Sequence, residues 1–287
     1  MTSLLIIGAL SIVQLRQLSA TPRADAIDPD LKLDYGPFEG SAKLRMCIAE
    51  LHSTPEVPSK PNNQIETTPP RSFLEEVVAL AKRFNIAIFC DEVLTPLFRT
   101  DDPTPPPIES LGYENSISIG PLSKAWGLPG VRAGWVISRN AALLRKILIA
   151  RDYTTISVSR LDDGVAAYAL GPEVRRNLLK HHLALCRESI ALLDEFVRRN
   201  KRCRRTTCKP QGGGTGFIQI LGNNGEAVDH FEFGLLVVKE PSLLAVPCSF
   251  CFRDGGTNDS RGYLRFPLGD SDVLRKGLPL LEKVLKE

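Results

Sequence analysis

This chain lacks any apolar run long enough to span a bilayer. The best of them, Leu4-Leu5-Ile6-Ile7-Gly8-Ala9-Leu10, is far short of the roughly 20 residues required. No basic residue precedes that run, which argues against a secretory leader. No sign of charge dominates either: 36 Lys and Arg are interspersed with 33 Asp and Glu, for a net +3. Such a balance gives no electrostatic footing for nucleic acid, and no membrane contact is expected. The seven cysteines are odd in number and widely scattered, so they do not read as a disulfide framework. Cys248 and Cys251 form a CxxC, but Cys203 and Cys208 upstream are spaced too loosely for a four-thiolate zinc site. The expectation is free thiols in a reducing, cytoplasmic setting, with no metal. Gly212-Gly213-Gly214-Thr215-Gly216 is glycine-rich but leads into a strand, Phe217–Ile220, not into the helix N-terminus that a phosphate cradle needs. His181 and His182 are adjacent within a helical pattern and point to different faces, a poor metal pair. They read as structural or solvated.

What is present is an ordinary globular composition: 287 residues, 43% hydrophobic and 24% charged, enough for one large or two modest domains. Periodicity predicts short helices over Ser11–Ala20 and from Gly40 to His52, the latter with Leu44, Ile48 and Leu51 on its apolar face. Ser53 to Pro70 carries five prolines and almost no apolar residues, and reads as linker. A helix follows over Ser72–Phe84, with Leu74, Val77, Val78, Ala81 and Phe84 as its face and Asn85 as its stop. Ile86–Cys90 is a continuous apolar strand suited to a parallel sheet covered on both faces, with Asp91-Glu92-Val93 at its carboxyl end. Ile117–Gly120 and Val131–Ser138 read as strands, and Ala141–Ala150 and Glu173–Asn200 as helices. The basic stretch Lys201–Lys209 reads as a solvated loop. Leu274, Leu278, Leu281 and Leu285 give a C-terminal helix one apolar face.

The chemistry concentrates between the two middle strands, in Gly120-Pro121-Leu122-Ser123-Lys124-Ala125-Trp126-Gly127-Leu128-Pro129-Gly130-Val131-Arg132-Ala133-Gly134-Trp135. A lysine amine, helped to lose its proton, can form a Schiff base with an aldehyde. An arginine eight residues on can grip a phosphate through a forked, charge-assisted pair of hydrogen bonds. Asp91 stands at a strand's carboxyl end, where ligands bind in open α/β sheets.

This run resembles the SLSKxxGLPGxRxGW lysine segment of the class I/II aminotransferases, which use pyridoxal 5′-phosphate. The resemblance extends over most of the chain, from about Ile12 to Leu285. It implies an α/β, fold type I architecture like that of aspartate aminotransferase, with an incomplete large-domain sheet and an α+β small domain. The implied organisation is an N-terminal segment over 1–55 and a linker over 56–70 that replaces a missing large-domain block. A cofactor-binding remnant over 71–150 and a small domain over 151–287 follow. By the same resemblance Lys124 holds the cofactor and shuttles the α-proton, and Asp91 faces the pyridine nitrogen. Arg132 and Ser123 contact the cofactor, Arg265 takes the substrate carboxylate, and Tyr35 and Gly36 lie where the chain enters beside the substrate. A homodimer acting on an amino acid is implied, with elimination by a C–S lyase or aminocyclopropane-carboxylate-synthase-like route as the close alternative. The family's phosphate loop, stacking aromatic and asparagine are not found. Pro121 stands where a phosphate-binding serine is frequent, and Leu94 where a tyrosine is usual. A truncated, non-catalytic remnant is therefore the rival reading.

Overall fold

The computed structural model describes residues 5–6, 31–32, 34–53, 69–99, 106–205, 211–239, 243–248 and 261–286. The helix expected over Ser11–Ala20, most of the linker, Cys208 and Cys251 lie outside these residues. In chain order the elements are β1 (Leu5–Ile6), α1 (Ala42–Ser53), α2 (Arg71–Phe84), β2 (Ile88–Asp91), β3 (Ser116–Pro121), β4 (Gly134–Ile137), α3 (Ala141–Asp152), α4 (Arg160–Ala169) and α5 (Pro172–Arg199). They continue with β5 (Cys203–Arg205), β6 (Thr215–Ile220), α6 (His230–Lys239), β7 (Leu243–Leu244), β8 (Val246–Pro247), β9 (Tyr263–Pro267) and α7 (Ser271–Lys286). The chain divides into two compact units, and the division falls within α5, after His182. No described helix is long and apolar enough to cross a membrane.

The unit that carries α1 to α4 is built on a sheet of order β2-β3-β4. β2 and β3 run parallel, with Asp91 beside Ile119, and β4 returns antiparallel with Gly134 beside Pro121. Local signals set the helix limits. Ser41 caps α1 by accepting from the Leu44 N–H at 3.1 Å, and Asn140 caps α3 by accepting from Leu143 at 3.0 Å. Asn85 ends α2 in the left-handed region at φ 51°, as expected from its type. α1 packs on α4, where the Ser41 N–H donates to Asp163 at 3.0 Å.

One face of the sheet is covered: Val78 and Ala81 of α2 cluster with Cys90, Ile108 and Tyr113. The opposite face corrects the expectation of a strand buried on both sides. Phe89, which alternates with Cys90, is 66% exposed, and Ile86 and Val136 are exposed too. Phe84, expected on the buried face of α2, is also exposed; Leu74, Val78 and Ala81 form that face. A parallel strand that reads as apolar throughout has thus kept only one of its two coverings.

The other unit holds a sheet of order β5-β6-β9-β8, antiparallel throughout. Its core gathers Phe196 of α5, Ile218 and Ile220 of β6, Val237 of α6, Phe266 of β9 and Leu274 and Leu281 of α7. The apolar stripe read along the C-terminal helix is the buried face of α7. The basic stretch expected as a loop begins instead as β5, because Cys203 is buried against β6 while Arg204 faces out. Gly262 sits at φ 75° with its Cα so near the chain that an added Cβ would meet the Ile220 carbonyl oxygen at 2.6 Å, a place only glycine fills.

Candidate active site

A parallel strand pair delivers both carboxyl ends to one edge, and that is how Asp91 and Lys124 come to share a neighbourhood. Asp91 is the last residue of β2, and Lys124 follows the end of β3 by three residues. The connection from β3 to β4 is closed by its own backbone. The Gly127 N–H donates to Lys124 O at 3.1 Å, Leu128 to Leu122 O at 3.0 Å and Leu122 to Ala133 O at 3.1 Å. Gly127 takes φ 65° to make the first of these turns. Ala125 and Trp126, the next two residues, are buried, and Lys124 itself is half-buried. Among the described residues the Lys124 amine has no hydrogen-bond or ion-pair partner.

Side-chain alternation then assigns the two acids of Asp91-Glu92 opposite roles. Asp91 is exposed, and its Oδ1 accepts from the Val93 N–H at 3.1 Å. Glu92 is buried and accepts from Ser118 Oγ at 2.7 Å, the Ile108 N–H at 3.1 Å and Cys90 Sγ at 3.6 Å. Leu94, standing where the resemblance puts a tyrosine, is buried and offers no polar atom. Arg132 is exposed, adopts φ 52°, and donates from Nη1 to the Pro129 carbonyl at 3.1 Å. Ser123 is half-buried in the same turn. Tyr35 is 79% exposed, and a Cβ added at Gly36 would meet Arg160 Cγ and the Val158 carbonyl oxygen at 3.4 Å. These residues belong to the sheet unit, whereas Arg265 lies on β9 of the other unit. Thus Asp91 ends β2 at the edge where the parallel β3 also ends, and Ser123, Lys124 and Arg132 lie on the connection that leaves β3 there.

Two features escaped the sequence reading. His182, on α5, is buried, and its Nδ1 lies 2.9 Å from the Ala125 carbonyl oxygen, next to Lys124. The sequence signal was only an apolar helix position occupied by histidine. The second is a His52, Glu92 and Glu109 group whose polar atoms lie within 4.8 Å of one another. It has metal-like spacing, but chemistry speaks against a ligand role at Nδ1. The Trp135 indole can only donate, and it lies 3.1 Å from His52 Nε2. Neutral His52 therefore carries its proton on Nδ1, a buried N–H without a hydrogen-bond partner. The contact also explains Gly120, where a Cβ would meet the Trp135 indole at 2.5 Å.

Burial pushes His52 down to about 4, from an ordinary 6.5. The unfolded chain then takes up a proton between pH 6.5 and about 4 that the folded protein refuses. Stability is complete above pH 6.5 and falls by up to about 3 kcal/mol as pH drops through that window. His182, lowered mainly by burial, contributes in the same direction. Urea unfolding at pH 7, 5.5 and 4 should show this loss, with a shallower slope in His52→Gln. Were the Glu92 and Glu109 carboxyl groups to outweigh burial, stability would rise on acidification instead.

The sequence profile of the family described as Aminotransferase class I and II matches residues 60–226. Nicotianamine aminotransferase B of Hordeum vulgare is 28% identical over 211 residues, covering 70% of this chain and 38% of that protein. Capreomycidine synthase of Streptomyces vinaceus is 35% identical over 95 residues, 33% of this chain and 24% of that protein. Among solved structures, a PLP-dependent aminotransferase from Streptococcus suis 89-1591 superposes with a TM-score of 0.79 at 22% identity. That superposition covers 98% of this chain and 93% of the other, and carries the fold alone. The chain spans less than half the length of these curated relatives.

Proposed function

The chain belongs to the class I and II aminotransferase family, with its fold type I architecture and its cofactor pyridoxal 5′-phosphate, and from that premise we propose that it transfers the amino group of an amino-acid substrate. One observation carries the reading: the parallel β2–β3 pair sets Asp91 and the Lys124 turn at the same sheet edge. The residues fit the cofactor unevenly. An amine that is half-buried and without a partner among the described residues suits its aldehyde end, and an exposed carboxylate at the same edge suits its ring nitrogen. The phosphate end has Arg132 and Ser123, with no α-helix N-terminus among the residues of this turn, only a single 3-10 turn over Pro129–Val131.

When bound, pyridoxal 5′-phosphate supplies an aldehyde for covalent attachment and a ring that draws electrons from the substrate's α-carbon. Lys124 Nζ would make the covalent attachment and would be the base that moves the substrate's α-proton. The Asp91 carboxylate holds a proton on the ring nitrogen. Arg132, whose Nη1 donates to the Pro129 carbonyl, would hold the phosphate, and Ser123 would add a hydroxyl to it. Arg265 binds the substrate carboxylate, and Tyr35 and Gly36 line its approach. Residues 71–150 then act as the cofactor-binding part and 151–287 as the small domain, in a cytoplasmic homodimer.

A visible-absorption titration with pyridoxal 5′-phosphate, run on the wild type and on Lys124→Ala, tests this. The wild type should develop a saturable visible band, and borohydride treatment followed by peptide mapping should find the label on Lys124. The variant should show neither. If the wild type develops no band, or the variant an identical one, this chain is a remnant of the family without its chemistry.

A further inference from the structure

We infer that His182 is a positioning residue for the lysine turn, acting by donating its Nδ1–H to the Ala125 carbonyl; this rests on the reading of Lys124 as the cofactor lysine. The bond is 2.9 Å long and buried at both ends, with His182 4% exposed and Ala125 fully enclosed. A carbonyl oxygen only accepts, so the hydrogen of the neutral ring must sit on Nδ1. Nε2 is then left with a lone pair, buried and without a partner. Burial keeps this imidazole neutral at neutral pH, opposed by the Ala125 bond and reinforced by the adjacent His181. The ring is therefore a fixed donor and not a titrating base.

The geometry has a direct consequence for Lys124. The turn closes on itself through Lys124 O and Leu122 O, and those bonds leave the Ala125–Trp126 peptide plane unanchored. His182 supplies the anchor from α5, an element outside the turn. Fixing that plane restricts the rocking of the segment one residue from the reactive amine. A covalent step depends on such restriction, because the amine must be held where the incoming carbonyl arrives.

The variants follow from shape. Asparagine places its Nδ2–H where histidine has Nδ1–H, so His182→Asn keeps the donor; His182→Leu keeps apolar bulk and loses it. In the cofactor-free protein, hydrogen exchange at the Gly127 and Leu128 amides should quicken about tenfold in His182→Leu, as for loss of about 1.4 kcal/mol of local protection, and recover in His182→Asn. The rate of the visible-band increase on mixing with pyridoxal 5′-phosphate should fall in parallel in His182→Leu and recover in His182→Asn. Nitrogen-15 spectra of the wild type should assign the His182 proton to Nδ1. Exchange that quickens uniformly through the sheet unit would mark a merely structural role and overturn the inference, as would unchanged exchange at those two amides or a proton on Nε2. The exchange and tautomer measurements need no cofactor. If the wild type forms no band while the two amides respond as expected, the cofactor reading fails and the anchoring of the turn stands.

Discussion

Glu92→Ala is expected to destabilise the sheet unit by about 4 kcal/mol, more than most single polar changes do. Glu92 is 3% exposed, and its carboxylate accepts from three groups: Ser118 Oγ on β3, the Ile108 N–H in the connection between β2 and β3, and Cys90 Sγ on β2. Truncation removes the acceptor and leaves the Ser118 hydroxyl and the Ile108 N–H buried without it. Each orphaned donor costs about 1–3 kcal/mol, so two of them account for the figure before any cavity is counted. Glu92→Gln keeps the shape and one acceptor oxygen, and should lose about half as much. A double-mutant cycle with Ser118→Ala isolates the shared bond, because Ser118→Ala in the Glu92→Ala background removes a group already orphaned. Urea unfolding of the four proteins is the measurement. A loss below about 1 kcal/mol in Glu92→Ala would show that the carboxylate is not what ties β2 to β3. Because Glu92 adjoins Asp91, the same variant should also weaken cofactor capture without touching the residue proposed to face the ring.

That pair of acids shows where sequence reading succeeds and where it stops. Asp91 could be picked out because its place, at the carboxyl end of an apolar strand, is legible in one dimension. The Lys124 turn was equally legible, since its glycines, prolines and apolar flanks fix a strand–turn–strand locally. The limits of α2 were readable down to Asn85, whose left-handed conformation is a property of its residue type. Glu92, by contrast, looks like a solvent-facing partner of Asp91, and its function is set by Ser118 and Ile108, which are 26 and 16 residues away. His182 is invisible for the same reason, being 57 residues from the carbonyl it binds. Burial failed in a different way. Periodicity says which side chains can share a face, but not whether anything covers it. Phe84, Ile86 and Phe89 have core-like patterns and lie exposed, in a chain whose match covers only 38% of one curated relative and 24% of another.

Trp126→Ala should cost about 3–5 kcal/mol, the range for deleting a fully buried aromatic side chain. Trp126 is 1% exposed and sits two residues beyond Lys124, within the turn. The loss should therefore be felt twice, as a lower urea midpoint and as failure to capture the cofactor covalently. Trp126→Phe separates packing from hydrogen bonding. The indole N–H of Trp126 is buried without a partner, a state that costs about 1–3 kcal/mol in the wild type. Phenylalanine removes that donor while keeping most of the apolar ring, so the smaller volume and the relieved N–H oppose each other. Trp126→Phe should lie within about 1 kcal/mol of the wild type and retain cofactor capture. The chain has two tryptophans, so either variant leaves Trp135 as the sole indole reporter of unfolding. A large loss in Trp126→Phe would mean that the N–H is engaged, by a bound water or by movement of the turn, and that the surroundings of the Trp126 indole are polar.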